Sequence, residues 1–207
     1  MLSVKSILPT SNQPPKGVIV ALHGWGANAA DLAGLVPFLG LGDYQFLLPD
    51  APFPHPYAAD GKMWYDLESD QYTGITESRQ LLHDWLRSLE GETGVPLDRT
   101  FLSGFSQGGA MTLDVGLQLP LAGLLSLSGY LHPVTQPLAD PVPPVLVVHG
   151  RQDAVVPLRA AHHAREDLTQ RGVSVQYEEY DMGHEIQMVV LERIKAFIEA
   201  QSAAWAN

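Results

Sequence analysis

The 207-residue chain contains no cysteine. That absence removes disulfide frameworks, thiolate metal sites and a cysteine nucleophile, and it leaves the redox compartment open. Positive charge is also scarce: 12 Lys and Arg stand against 23 Asp and Glu, a formal net charge of −11. A surface of that sign repels phosphate backbones and anionic headgroups, so nucleic acid is not an expected partner. No apolar run approaches the roughly 18 residues of a membrane span, and the N-terminal MLSVKSILPT lacks the apolar centre of a secretory signal. No stable membrane insertion is expected, and a cytoplasmic protein is the default. Internal repeats are missing too. The Pro-rich stretches 49–56 and 133–144 are too short to be interdomain linkers and read as loops over a sheet edge.

What remains suits a packed globule. Hydrophobic residues make up 45% of the chain and charged ones 17%, over a length that predicts one domain, residues 1–207, with one core. Apolar, β-branched-rich runs alternate with segments of helical periodicity, which predicts an α/β fold with a mostly parallel central sheet and helices on both faces. Buried strands are expected at Val18–Leu22, Tyr44–Leu48, Thr100–Ser103, Leu124–Leu127 and Val145–His149. Ser174–Tyr180 alternates more and suits an edge, and Val4–Leu8 is a candidate first strand. Leu32, Leu35, Val36 and Leu39 fall at helical spacing, as do Leu82, Trp85, Leu86 and Leu89, and a last helix is expected from about Ile186 to Ala200.

One short stretch carries chemistry. In SGFSQGGAM, Gly104, Phe105, Ser106, Gln107 and Gly108 spell G-x-S-x-G between a predicted strand and a predicted helix, the context of a nucleophile elbow. Such a turn strains the serine backbone, and side chains at the flanking glycines would collide with neighbouring elements. It exposes the hydroxyl at the carboxyl end of the sheet, over a helix N-terminus that favours developing negative charge.

A serine hydroxyl needs a base to become a nucleophile. His184, in YDMGHE, follows the last predicted strand and leaves the sheet at that same edge. His162 and His163 fall on a predicted helix, His55 and His132 in Pro-rich loops and His83 on a surface helix, and all five are expected to be solvated rather than catalytic. An imidazole base needs a carboxylate to fix its tautomer, and Asp153 in GRQDAVVP follows a strand in the order Ser, Asp, His that this fold uses. Asp181, three residues before His184, is the rival acid. The strand GVIVAL runs into HGWGANAAD, whose Gly24 and Gly26 let the backbone pass close to a substrate oxygen. Backbone N–H groups of Trp25 and Gln107 then form the expected oxyanion hole, with His23 bracing the loop.

Other readings of the same residues are available. Gly24, Gly26 and Ala29 spell G-x-G-x-x-A with Asp50 at the end of the next strand, as in a dinucleotide site, but this leaves the elbow, GRQD and MGH without a role. HEIQM at 184–188 carries Met188 where a zinc H-E-x-x-H needs histidine, so no metal is predicted. A scaffold of this class that binds a ligand without catalysis is the remaining alternative.

Taken together, LHGWG, LLPDAPFPHPYAADGKMWYDL, GFSQGGAM, LSGYL, HGRQDAVVP and YDMGHE resemble the phospholipase/carboxylesterase family of α/β-hydrolases, which includes bacterial carboxylesterases and acyl-protein thioesterases. The resemblance spans nearly the whole chain. It implies an α/β-hydrolase fold, a Ser106–Asp153–His184 triad with Trp25 and Gln107 as oxyanion donors, no cofactor, and a homodimer. Trp25 stands where members usually carry a small aliphatic residue, and the stretch from Asp50 to Lys62 is shorter and richer in proline than in the thioesterase branch. The segment from Ser128 to Pro144 is too short for a helical cap domain, which predicts an open cleft. Phe53, Met63, Trp64 and Leu67 are expected to line its apolar wall. The function implied is hydrolysis of short- to medium-chain carboxylic esters through an acyl-enzyme, with thioesters and neutral lysophospholipids as further substrate candidates.

Overall fold

The computed structural model describes residues 2–11 and 13–206. Seven strands form the main sheet: β1 (Val4–Ile7), β2 (Val18–Leu22), β3 (Gln45–Pro49), β6 (Thr100–Phe105), β7 (Gly123–Leu127), β8 (Val145–Gly150) and β9 (Val175–Tyr180). Their order is β1-β3-β2-β6-β7-β8-β9. β1 runs antiparallel to β3, and all the other neighbours are parallel. The central strands are buried on both faces, which is why β7 (GLLSL) and β8 (VLVVHG) read as unbroken runs. β9 lies at the edge and is half-buried along its length, which matches its more alternating sequence.

Helices cover both faces. α3 (Ile75–Thr93), α4 (Gln107–Gly116) and α5 (Leu158–Gln170) close one core through Leu82, Leu86, Leu89, Met111, Leu113 and Leu168. On the other face, α1 (Ala29–Ala33), α2 (Val36–Leu39) and α6 (Met188–Ser202) pack Leu39, Leu191, Ile194, Phe197 and Ile198 against Ile19, Phe46, Phe101 and Leu146. Each fully buried aliphatic or aromatic side chain contributes about 1.5–3 kcal/mol, so these two layers account for most of the driving force.

Two local details differ from the periodicity. Residues 29–39 form two short helices because Pro37, second in α2, has no N–H and its ring clashes with the carbonyl four residues back. Asn28 starts α1 with a capping box: its side chain accepts from Ala30 and Asp31, and the Asp31 carboxylate accepts from the Asn28 N–H. Within the expected 49–56 loop, β4 (Phe53–Pro54) pairs antiparallel with β5 (Lys62–Met63). This hairpin ties to the loop after β2, where Gly26 N–H donates to Lys62 O at 2.9 Å and Lys62 N–H to Ala27 O at 2.8 Å. The segment from Ser128 to Pro144 contains no helix or strand and inserts no large cap domain. Among the described residues, no helix is long and apolar enough to cross a membrane.

Candidate active site

The chain switches direction across the sheet between β2 and β6, and in such sheets ligands sit at the carboxyl ends of the strands at that point. Four elements deliver the candidate residues there. Ser106 follows β6, Trp25 follows β2, Asp153 follows β8 and His184 follows β9.

Ser106 sits at φ 56° and ψ −119°, a conformation costing about 1–3 kcal/mol for a residue with a side chain. Neighbours hold it there: its N–H donates to Leu127 O at 2.8 Å, and its carbonyl accepts from Ala110 N at 3.1 Å. A Cβ on Gly104 would run into the Gly108 carbonyl, and one on Gly108 would run into Leu22 O and stand 2.6 Å from His23 O. The flanking glycines are therefore required by the closeness of β6, α4 and β2. Gly24 has a related role, since a Cβ there would lie 3.3 Å from Ser106 Cβ.

His184 Nδ1 donates to Asp153 Oδ2 at 2.7 Å. Asp153 Oδ1 accepts from the backbone N–H groups of Val155 and Val156 at 2.9 and 2.8 Å. Burial works against the charge of this carboxylate, but the bonds from His184, Val156 and Val155 outweigh it, and the pKa of Asp153 lies below its ordinary 3.8. The His184 ring lies 4.7 Å from the Phe105 ring, beside the elbow. With its Nδ1 proton committed to Asp153, His184 presents Nε2 as the free acceptor. Asp181 is not its partner. It stands exposed and binds Arg151 Nη1 at 2.7 Å.

The loop carrying Trp25 is braced from below. His23 is fully buried, donates from Nδ1 to Gly24 O at 2.8 Å and accepts at Nε2 from Ala51 N at 3.0 Å. Burial pushes its pKa below 6.5 and keeps it neutral, as both bonds require. Gln107 is also fully buried, and its carboxamide clamps the next layer: Oε1 accepts from Trp64 N at 2.9 Å and Nε2 donates to Tyr65 O at 2.7 Å. Among the described residues, the backbone N–H groups of Trp25 and Gln107 have no backbone acceptor.

Trp64, His55 and His132 turn out differently from expectation. Trp64 is wholly buried, with its indole N–H donating to His23 O at 3.0 Å, and so stands behind the loop rather than on an open wall. Phe53 and Met63 face each other across the β4–β5 hairpin, half-buried, and Leu67 is exposed. His55 is half-buried edge-on against Trp25, ring centroids 4.1 Å apart, with Nδ1 accepting from Tyr57 and Ala58. His132 is buried rather than solvated. It donates from Nδ1 to Asp114 Oδ2 at 2.8 Å, where Arg79 also binds at 2.8 and 3.0 Å. The dinucleotide reading fails on two counts: α1 has five residues, too few to carry a phosphate, and Asp50 is occupied by Ala29 N and Ser3 Oγ.

The family model for phospholipase/carboxylesterase matches residues 5–202. The chain belongs to that family. Acyl-protein thioesterase 1 of Neurospora crassa is 31% identical over 209 residues, covering 87% of this chain and 84% of that protein. Acyl-protein thioesterase 1 of Eremothecium gossypii is also 31% identical, over 91% and 89% of the two chains. The crystal structure of esterase PE8 superposes with a TM-score of 0.86 at 31% identity, over 96% of this chain and 98% of the other. That of the Bacillus cereus carboxylesterase, at 16% identity and a TM-score of 0.81, shows the shared fold alone. The phospholipase/carboxylesterase family member described here thus has an α/β-hydrolase fold without a large cap, and it is a hydrolase of the esterase and thioesterase type.

Proposed function

We propose that this hydrolase cleaves short- to medium-chain carboxylic esters and thioesters through a Ser106–His184–Asp153 triad. The observation that carries the reading is the 2.7 Å His184–Asp153 bond beside a serine held at positive φ. Ser106 Oγ attacks the substrate carbonyl while His184 Nε2 takes its proton, and Asp153 stabilises the imidazolium. The N–H groups of Trp25 and Gln107 receive the oxyanion, each worth about 3–4 kcal/mol of transition-state stabilisation. The tetrahedral intermediate collapses, the C–O or C–S bond breaks, and His184 returns the proton to the departing alcohol or thiol. Water, deprotonated by His184, then releases the acid and restores Ser106.

Rapid covalent labelling by a fluorophosphonate probe tests this, since only an activated serine reacts quickly. Labelling is expected in the wild type and lost in Ser106→Ala and His184→Ala. A His184→Ala variant that labels at the wild-type rate excludes the mechanism. Turnover of p-nitrophenyl esters of increasing chain length then gives the acyl preference.

A further inference from the structure

One buried imidazole has no part in the reaction above. His149 lies near the end of β8 and is fully buried. Its Nε2 stands 2.8 Å from Val156 O and 3.4 Å from Asp153 Oδ2. Its Nδ1 is buried with no partner. Because a carbonyl and a carboxylate only accept, Nε2 carries a proton, and in the neutral ring Nδ1 is a bare lone pair. An apolar ring would fill this space without burying an unpaired nitrogen, which costs free energy wherever it occurs. The acceptors that the polar ring reaches are Val156 O and the candidate triad acid, so what the polar ring offers over an apolar one is a hold on the turn between them.

That turn sets the carboxylate. The N–H groups of Val155 and Val156 hold Asp153 Oδ1, while Oδ2 takes His184. The start of the turn is held by backbone bonds, Gln152 N–H to Met182 O at 3.1 Å and Asp153 N–H to Gly150 O at 3.3 Å, and its Val156 end is held by His149. His149 ties Val156 back to the central sheet and presents its N–H beside Oδ2, the oxygen that orients His184.

We propose that His149 is a positioning residue: a second imidazole behind Asp153 that locks the 153–156 turn to β8 and thereby holds the carboxylate in line with His184. The inference rests on the triad reading above.

The test compares His149→Phe, which fills the volume without a donor, with His149→Gln, whose amide nitrogen falls near the lost Nε2. His149→Phe is expected to lower kcat by about 10- to 100-fold, by analogy with the loss of an outer-shell group that orients a metal ligand. KM should stay within about twofold, as for a loss felt only in the transition state. His149→Gln should recover most of the rate. The second readout is the far-downfield proton resonance of the His184–Asp153 bond, recorded in a Ser106→Ala background where activity plays no part. It should move or broaden in His149→Phe and return in His149→Gln. A His149→Phe protein with wild-type kcat overturns the proposal, as does one that loses rate with an unchanged resonance and no rescue by glutamine. Should His149→Phe not fold, His149→Asn replaces it, because its shorter amide stops short of the Nε2 position; equal rates for the Asn and Gln variants overturn the proposal. Failure of the triad reading shows separately, as persistent hydrolysis by Ser106→Ala whatever stands at position 149.

Discussion

At the scale of single residues, backbone strain and the proposed chemistry meet at Ser106. Ser106→Ala is expected to lower turnover by roughly a factor of a million, the loss seen when a triad nucleophile is removed, with residual activity from the oxyanion donors and binding alone. Ester kinetics on the purified variant decide this. Gly108→Ala tests the steric half of the argument. The new methyl would meet two backbone carbonyls of the chain leaving β2, and backbone does not yield as a flexible side chain does. A loss of about 3 kcal/mol in urea denaturation is expected, together with loss of labelling at Ser106. Acid sensitivity follows from two further residues. His23 is held below 6.5 by burial, so between its folded value and 6.5 the unfolded chain binds a proton that the folded chain refuses. Its contribution is complete above about 6.5 and lost as pH falls through the folded value. Asp153 has the same sign in a lower window, complete above about 3.8 and lost as pH falls through its lower folded value. Urea midpoints measured from pH 7 to pH 3 should fall in two stages, and the upper stage should flatten in His23→Gln.

Among the elements, α4 does two tasks at once. Its first turn presents the elbow and the Gln107 clamp, and its third turn carries Asp114, which binds Arg79 of α3 and His132 of the loop after β7. His132 Nε2 lies 3.4 Å from the Tyr65 hydroxyl, which shares a 2.5 Å bond with Tyr130, so the network reaches the same segment that Gln107 grips. Burial raises the Tyr130 pKa to about 12 and raises that of Tyr65 as well, so both phenols stay neutral and one donates to the other. Asp114→Ala leaves two cationic or polar partners without their acceptor. About 3 kcal/mol of stability should be lost, toward the low end for a broken buried pair because Arg79 keeps some contact with water. Chemical denaturation measures it, and a change under 1 kcal/mol shows that the network carries little. None of this was legible beforehand. The strands of the central sheet were, because burial on both faces writes itself as VIVAL or VLVVHG. The break at Pro37 was readable in principle from proline chemistry, whereas the two-residue β4–β5 pairing depends on contacts with the Trp25 loop that no local pattern encodes.

For the molecule as a whole, the parallel sheet brings distant segments to one edge, and this is why the candidate residues could be named from short motifs. GFSQG and GRQD each carry their own backbone logic, a tight turn after a strand, and chain order supplies the rest. The bracing layer is different. His149 sits inside an apolar strand, and His132 directly precedes Pro133 in a loop; their partners lie from 4 to 67 positions away. Only the assembled fold reveals them. Net charge also acts at this scale. With −11 spread over a 207-residue surface, an anionic substrate approaches against a repulsive field while a neutral one does not. Matched p-nitrophenyl esters, one with a neutral acyl chain and one ending in a carboxylate, separate this effect from the pocket. At about 10 mM ionic strength the screening length is roughly 30 Å, and kcat/KM for the anionic ester should be several-fold lower. At about 1 M salt the length falls to roughly 3 Å, and most of the difference should vanish. A ratio that stays constant across that range places the discrimination in local contacts at the cleft and removes the long-range field from the account.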